Sequence, residues 1–256
     1  MKTTLITGGL GFIGSNICDA LLQKKYADKC ILLDNFGGYM NPIKDSFIDF
    51  RKQRFPSLKN IIIERCDTSN YKALSSILNK YKPNYIYHTA ALPLAKVSNL
   101  NNEEAKISSV DSTVNIIDAI NLLKNSDQKY QFDRFIYFSS SMVYGDFKKP
   151  TVTEESEKNP KDAYGIMKLA GEVVTEGLCK LHNIPYTIVR PSAVYGPKDM
   201  NRRVSQIFIE NAFKKQEISI QGKNEKLDFT YIKDLANGSI LAARSKKGIN
   251  QIFNIT

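Results

Sequence analysis

The chain has 256 residues, 42% of them hydrophobic, and a formal net charge of +10; this length suits one large α/β domain, or a domain with a small appendage. No run approaches the about 18–20 apolar residues of a membrane span, and Met1–Thr7 leads into a glycine loop instead of a cleavage site, so a cytoplasmic location is expected. Four scattered cysteines and two histidines offer no clustered metal ligands, and lysine pairs without interleaved aromatics describe a solvated surface with modest attraction for anions, not a nucleic-acid platform.

Short β-rich runs alternate with helical patterns, which predicts a parallel sheet with crossover helices. The first strand, Thr3–Thr7, runs into Gly8-Gly9-Leu10-Gly11-Phe12-Ile13-Gly14, and a helix is expected over Phe12–Lys25. Gly8, Gly11 and Gly14 keep a GxxGxxG spacing. Glycines permit a tight turn and close approach of backbone to a pyrophosphate, and the helix N-terminus, with Phe12 and Ile13 in its first turn, receives that anion. The second strand, Cys30–Asp34, ends in Asp34-Asn35, twenty residues beyond Gly14. A carboxylate there accepts hydrogen bonds from ribose hydroxyls and repels a 2′-phosphate. No arginine follows it, so the expected cofactor is NAD and not NADP.

A further helix is expected over Ile43–Arg54 and a third strand over Ile61–Glu64. Asp67 and Thr68 follow that strand, where they can meet an adenine edge; a plain surface aspartate is the other reading. Ser69-Asn70 can cap a helix over Tyr71–Tyr81 that Pro83 ends. A strand over Tyr85–His88 and a long helix over Glu103–Lys124 come next, then a strand over Phe135–Ser139. At the carboxyl end of that strand, where open α/β sheets place their chemistry, stands Ser139-Ser140-Ser141-Met142. A hydroxyl there can bond a reacting oxygen, although a serine run also suits a turn or a cap.

The helix expected over Ala163–His182 carries Tyr164 and Lys168 at i and i+4, on one face. An ammonium beside a phenol favours the phenolate, which gives a general acid/base able to exchange a proton with a hydroxyl during hydride transfer. After a strand over Tyr186–Arg190 the rhythm loosens. The remaining expectations are a helix over Val204–Lys215, strands over Ile218–Gln221 and Phe229–Ile232, a helix over Asp234–Arg244 and a strand over Ile252–Ile255. Residues 1–190 therefore read as a Rossmann-type dinucleotide-binding domain. Residues 191–256 read as a small substrate-binding region partly interleaved with the sheet.

TGGLGFIG, Asp34-Asn35, His88-Thr89-Ala90-Ala91, SSSMVYG, YGIMK and Arg190-Pro191 with Val194-Tyr195-Gly196-Pro197 together resemble the extended short-chain dehydrogenase/reductase family, along the whole chain. The resemblance implies that Ala90 and Ala91 line the NAD site and that Tyr164, Lys168 and Ser140 act as a trio. Tyr164 would take a hydroxyl proton while hydride passes to NAD, Lys168 would hold the nicotinamide ribose and tune Tyr164, and Ser140 would bind the reacting oxygen. It also implies a homodimer built on the helices over Glu103–Lys124 and Ala163–His182. The dehydratases of this family place Asp-Glu after the serine; Ser141 and Met142 stand there, which disfavours elimination and leaves transient oxidation and re-reduction, as in UDP-galactose 4-epimerase-like enzymes. Leu227 stands where the family has an arginine that clamps the nucleotide diphosphate, with Lys226 or Arg203 as substitutes, and Ser109 replaces a common asparagine. Relatives run several dozen residues past the equivalent of Thr256, so the cofactor half is expected complete and the sugar side open to water. A nucleotide-sugar epimerase is the leading reading; a dehydratase or carbonyl reductase of the same fold, or a catalytically silent NAD-binding protein, stay open.

Overall fold

Strands with apolar residues on both faces must be covered on both sides, and the sequence supplies helices between them to do so. A computed structural model describes residues 2–37, 55–92, 102–147, 149–197, 199, 204–220, 222 and 226–256; the helix expected over Ile43–Arg54 lies outside the described residues. Strands β1 (Thr3–Thr7), β2 (Lys29–Asp34), β3 (Ile61–Arg65), β4 (Tyr85–His88), β5 (Arg134–Phe138), β6 (Tyr186–Pro191) and β9 (Gln251–Ile255) form one sheet, all pairs parallel, in the order β3-β2-β1-β4-β5-β6-β9. Two shorter strands, β7 (Ala193–Tyr195) and β8 (Phe229–Tyr231), pair apart from it.

The period of two along each strand divides the core. Ile6, Leu32, Ile136 and Val189 face one side, against Phe12, Ile17 and Leu21 of α1 (Phe12–Gln23) and Leu235 and Ile240 of α7 (Ile232–Arg244). Leu5, Ile31, Ile86, Phe135 and Ile188 face the other. There they meet Leu74 and Leu78 of α2 (Tyr71–Tyr81), Ile116 and Ile120 of α4 (Ser112–Ser126) and Cys179 of α5 (Ala163–Leu181). Asn70 caps α2 as expected, its side chain accepting from the Ala73 N–H. The four cysteines are all buried and free. Among the described residues, no helix is long and apolar enough to cross a membrane.

Three expectations are corrected. The single helix over Glu103–Lys124 is interrupted. A short α3 (Asn102–Lys106) passes through one π turn, Ile107–Asp111, into α4. Hydroxyls just beyond that turn bond two carbonyls inside it, Ser112 Oγ to Ser108 O and Thr113 Oγ1 to Ser109 O, both at 2.7 Å; such back-bonding competes with the regular ladder and opens it. No strand forms at 218–220, where Ile220 is 70% exposed and no described residue pairs with it. Ile232 begins α7 instead of ending β8. The helix α6 (Val204–Phe213) has no buried residue.

Candidate active site

A parallel sheet brings the carboxyl ends of its strands to one edge, so Thr7, Asp34, His88 and Phe138 lie on the same side of the molecule. The glycine turn begins there. Gly8 has φ +64°, a conformation that favours glycine, and a Cβ on it would lie 2.9 Å from both Cα and N of Ala90. A Cβ on Gly14 would lie 2.5 Å from the Gly8 carbonyl oxygen. The turn is closed by the Gly11 N–H donating to that same oxygen at 2.9 Å. Gly11 then stands at the N-cap of α1. Phe12 is buried in the core and Ile13 packs against it, so what these two positions offer a ligand is backbone: first-turn amides have no acceptor inside the helix.

Asp34 is buried, and its carboxylate accepts from Leu10 N–H at 3.1 Å and Phe36 N–H at 2.9 Å. It thereby ties the end of β2 to the glycine turn. Asn35 donates through Nδ2 to Asp67 Oδ2 at 2.9 Å, joining the ends of β2 and β3. Burial raises the Asp67 carboxyl, but the bonds from Asn35 and Ser69 outweigh it and leave it below the usual range. Thr68 is buried beside it, and its carbonyl accepts from Asn115 Nδ2 at 3.0 Å. A cradle in which no side chain fits, opening on a helix N-terminus with a carboxylate at the next strand end, has the donor set for a dinucleotide.

Behind the cradle sits a polar contact between Thr7 and His88, a residue whose motif alone gives it no partner. The Thr7 hydroxyl accepts from Ala90 N–H at 3.2 Å and lies 2.7 Å from His88 Nδ1. Ser112 Oγ gives its proton to Ser108 O and lies 3.2 Å from His88 Nε2. Burial keeps the imidazole neutral; with the Ser112 proton spent on Ser108 O, the Nε2–H donates to Ser112 and Nδ1 is left to accept from the Thr7 hydroxyl. Burial, with the charge of Lys168 adding to it, holds its pKa down at about 3. His88 thus aims the Thr7 lone pair at Ala90, and with it the Ala90–Ala91 segment.

The expected trio is brought together. Ser140 is extended and precedes a 3-10 turn, Ser141–Tyr144, with its Oγ accepting from Met142 N–H at 3.2 Å. Asp162 caps α5 through the Gly165 N–H at 2.7 Å, which sets Tyr164 in the helix's first turn. The two pieces touch: a Cβ on Gly165 would lie 2.7 Å from Met142 O. Lys168, only 2% exposed, donates from Nζ to Phe138 O at 2.7 Å and lies 5.7 Å from the Tyr164 ring centroid. Burial pushes its pKa down to about 7, with the carboxylate of Glu172 opposing that shift. From the i, i+4 spacing alone this lysine is an ordinary ammonium; it is the tertiary packing that lowers its pKa toward neutral. Ser141 Oγ reaches Ser192 Oγ at 3.3 Å. Leu227 is half exposed, and Arg203 lies outside the described residues.

A family model described as "NAD dependent epimerase/dehydratase family" matches residues 4–256. A provisionally named UDP-glucose 4-epimerase of Methanocaldococcus jannaschii is 32% identical over 257 residues, covering 98% of this chain and 75% of its own. A dTDP-D-glucose 4,6-dehydratase of Dictyostelium discoideum is 27% identical, covering all of this chain and 58% of its own. Among solved structures, the UDP-glucuronic acid 4-epimerase of Bacillus cereus in complex with UDP-glucuronic acid and NAD superposes with a TM-score of 0.84 at 28% identity, over 99% of this chain and 77% of that one.

Proposed function

This chain belongs to the NAD dependent epimerase/dehydratase family, and from that premise we propose that it is an NAD-dependent nucleotide-sugar epimerase, an isomerase that oxidises one sugar hydroxyl to a ketone and reduces it again with inverted configuration. The observation that carries the reading is the buried Lys168 held against Tyr164 and the end of β5, beside the Ser140 turn. The epimerase relatives that act on UDP-sugars support a nucleoside diphosphate sugar as substrate.

In this reading the Gly8, Gly11 and Gly14 turn and the Phe12 and Ile13 amides hold the pyrophosphate of NAD. Asp34 takes its adenosine ribose, Asn35, Asp67 and Thr68 its adenine, and Ala90 and Ala91 line the path inward. Bound NAD supplies a hydride acceptor and donor. Tyr164 accepts the proton of the sugar hydroxyl, and returns it when the ketone is reduced. Ser140 donates to the reacting oxygen and steadies it as its bond order changes. Lys168 favours the phenolate when charged, and its lowered pKa lets that influence vary near neutral pH. Ser141 and Met142 line the sugar and are neither strong acid nor strong base, which disfavours elimination of water. Residues 191–256, with Arg203 a candidate for the diphosphate, form the substrate side.

Leu122 on α4 and Ile166 and Val173 on α5 are exposed apolar side chains on the two long helices. They support a homodimer through those helices, and free buried cysteines suit a reducing cytoplasm. The test is mass spectrometry of small molecules released on denaturation, followed by turnover of UDP-sugars by the parent and Tyr164→Phe proteins. Recovered NAD, epimer formation by the parent and none by Tyr164→Phe with NAD still bound are expected. Full turnover by Tyr164→Phe would refute the proton role. NAD consumed in step with product would point to a reductase.

A further inference from the structure

Arg190 puts a guanidinium in a wholly buried strand, Tyr186–Pro191, where an unpaired charge is strongly destabilising. Each of its three nitrogens has a partner. Nε and Nη2 donate to Oε1 and Oε2 of Glu172 at 2.8 and 2.6 Å, with side chains 1% and 3% exposed. Nη1 points the other way. It donates to the Tyr144 hydroxyl at 2.6 Å and to Glu154 O at 3.1 Å, and the guanidinium lies 5.1 Å from the Tyr144 ring centroid. The Tyr144 hydroxyl passes its proton on to Asn254 Oδ1 in β9, at 2.8 Å.

These contacts join the two pieces of the trio. Glu172 stands on α5 four residues beyond Lys168 and eight beyond Tyr164; Tyr144 closes the turn that begins at Ser140. A planar fork that bonds both partners at once cannot shift toward one without losing the other. We propose that Arg190 is a positioning residue: by holding Glu172 and Tyr144 together it fixes the distance between the turn carrying Ser140 and the helix carrying Tyr164 and Lys168. This rests on the trio reading above. A role in stability alone is a poorer account, because a buried ion pair commonly adds little over an apolar pair of similar volume.

The test uses two variants of the full chain. Tyr144→Phe removes one hydroxyl and leaves the ion pair. Arg190→Met/Glu172→Leu removes the joint and both of its opposite charges; because Glu172 also supports the charge of Lys168, Tyr144→Phe, which leaves Glu172 in place, separates loss of the joint from loss of that carboxylate. Both are expected to fold and to retain NAD. The double variant should lose about 10- to 100-fold in kcat with KM for a UDP-sugar changed less than about threefold, the pattern of misplaced reacting groups; Tyr144→Phe should move the same way by less. Amide exchange by mass spectrometry should quicken over residues 140–146 in both, while residues 174–181 of α5 stay as in the parent. Unchanged kcat in the double variant would overturn the proposal. If the parent turns over no nucleotide sugar, the functional reading fails separately, and exchange decides the joint: parent-like protection of 140–146 in both variants would refute it.

Discussion

Gly171 and Gly177 lie on the same helix, α5, and the same substitution should have opposite effects at the two positions. Replacing glycine by alanine inside a helix gains about 1 kcal/mol from propensity alone. At Gly177 an added Cβ meets nothing within 4 Å, so Gly177→Ala should stabilise the protein by about 0.5–1 kcal/mol. At Gly171 the Cβ would lie 2.1 Å from Tyr137 Oη, 2.7 Å from its Cζ and 2.9 Å from Ser109 O. An ordinary contact needs roughly 3.5 Å, so the helix must back away by on the order of 1 Å. Tyr137 cannot give, since it is fully buried with the His88 ring 5.9 Å away. Overpacking of this kind costs about 1–3 kcal/mol, which leaves Gly171→Ala at a net loss of up to about 2 kcal/mol. The displacement also carries Lys168, whose carbonyl accepts from the Tyr137 hydroxyl at 3.3 Å, away from Phe138 O. Turnover should fall by about 100-fold for such a shift. Urea unfolding followed by circular dichroism, with turnover of a UDP-sugar, reads both effects, and adding Tyr137→Phe should restore only part because Cζ remains too close. A Gly171→Ala protein as stable as Gly177→Ala and fully active would refute the seating of α5 on Tyr137.

Three more outcomes follow from the cofactor side. Asp34→Asn removes a charged acceptor from the β2 end, and the preference for NAD over NADP should drop by about tenfold or more, read as the ratio of Kd values by calorimetry; an unchanged ratio would take Asp34 off the ribose. Gly14→Ala puts a methyl 2.5 Å from Gly8 O and 2.9 Å from Gly9 Cα, a clash with backbone that cannot turn aside, so NAD titration should show binding weakened by more than about tenfold. His88 is held at about 3 in the fold against an ordinary value near 6.5. Between those pH values the unfolded chain takes up a proton that the fold refuses, so stability falls as pH falls, by up to about 1.4 kcal/mol per unit. His88→Gln should flatten the stability-versus-pH slope between pH 6 and 4 by about one proton; equal slopes would locate the uptake elsewhere.

Alternating strand and helix patterns, the GxxGxxG turn, the aspartate at the end of the second strand and the i, i+4 pairing of Tyr164 with Lys168 were all legible in the sequence. Each depends on a local period or on one backbone conformation that few residues adopt. Arg190 and Glu172 were less so. A guanidinium in a strand reading YTIVRP does call for a buried partner, but Glu172 is eighteen residues earlier on another element, and no spacing rule links them. The same holds for His88, whose two hydroxyl partners come from β1 and α4. The π turn arises where serine and threonine side chains take up helix carbonyls, and residues 218–220 form no strand because, among the described residues, none pairs with them. The kinds of elements and the residue types at the strand ends follow from local pattern. Which of those residues meet, and how burial shifts their charge, depends on the fold, because burial and hydrogen bonding sum over elements far apart in the chain, as with the lowered pKa of Lys168.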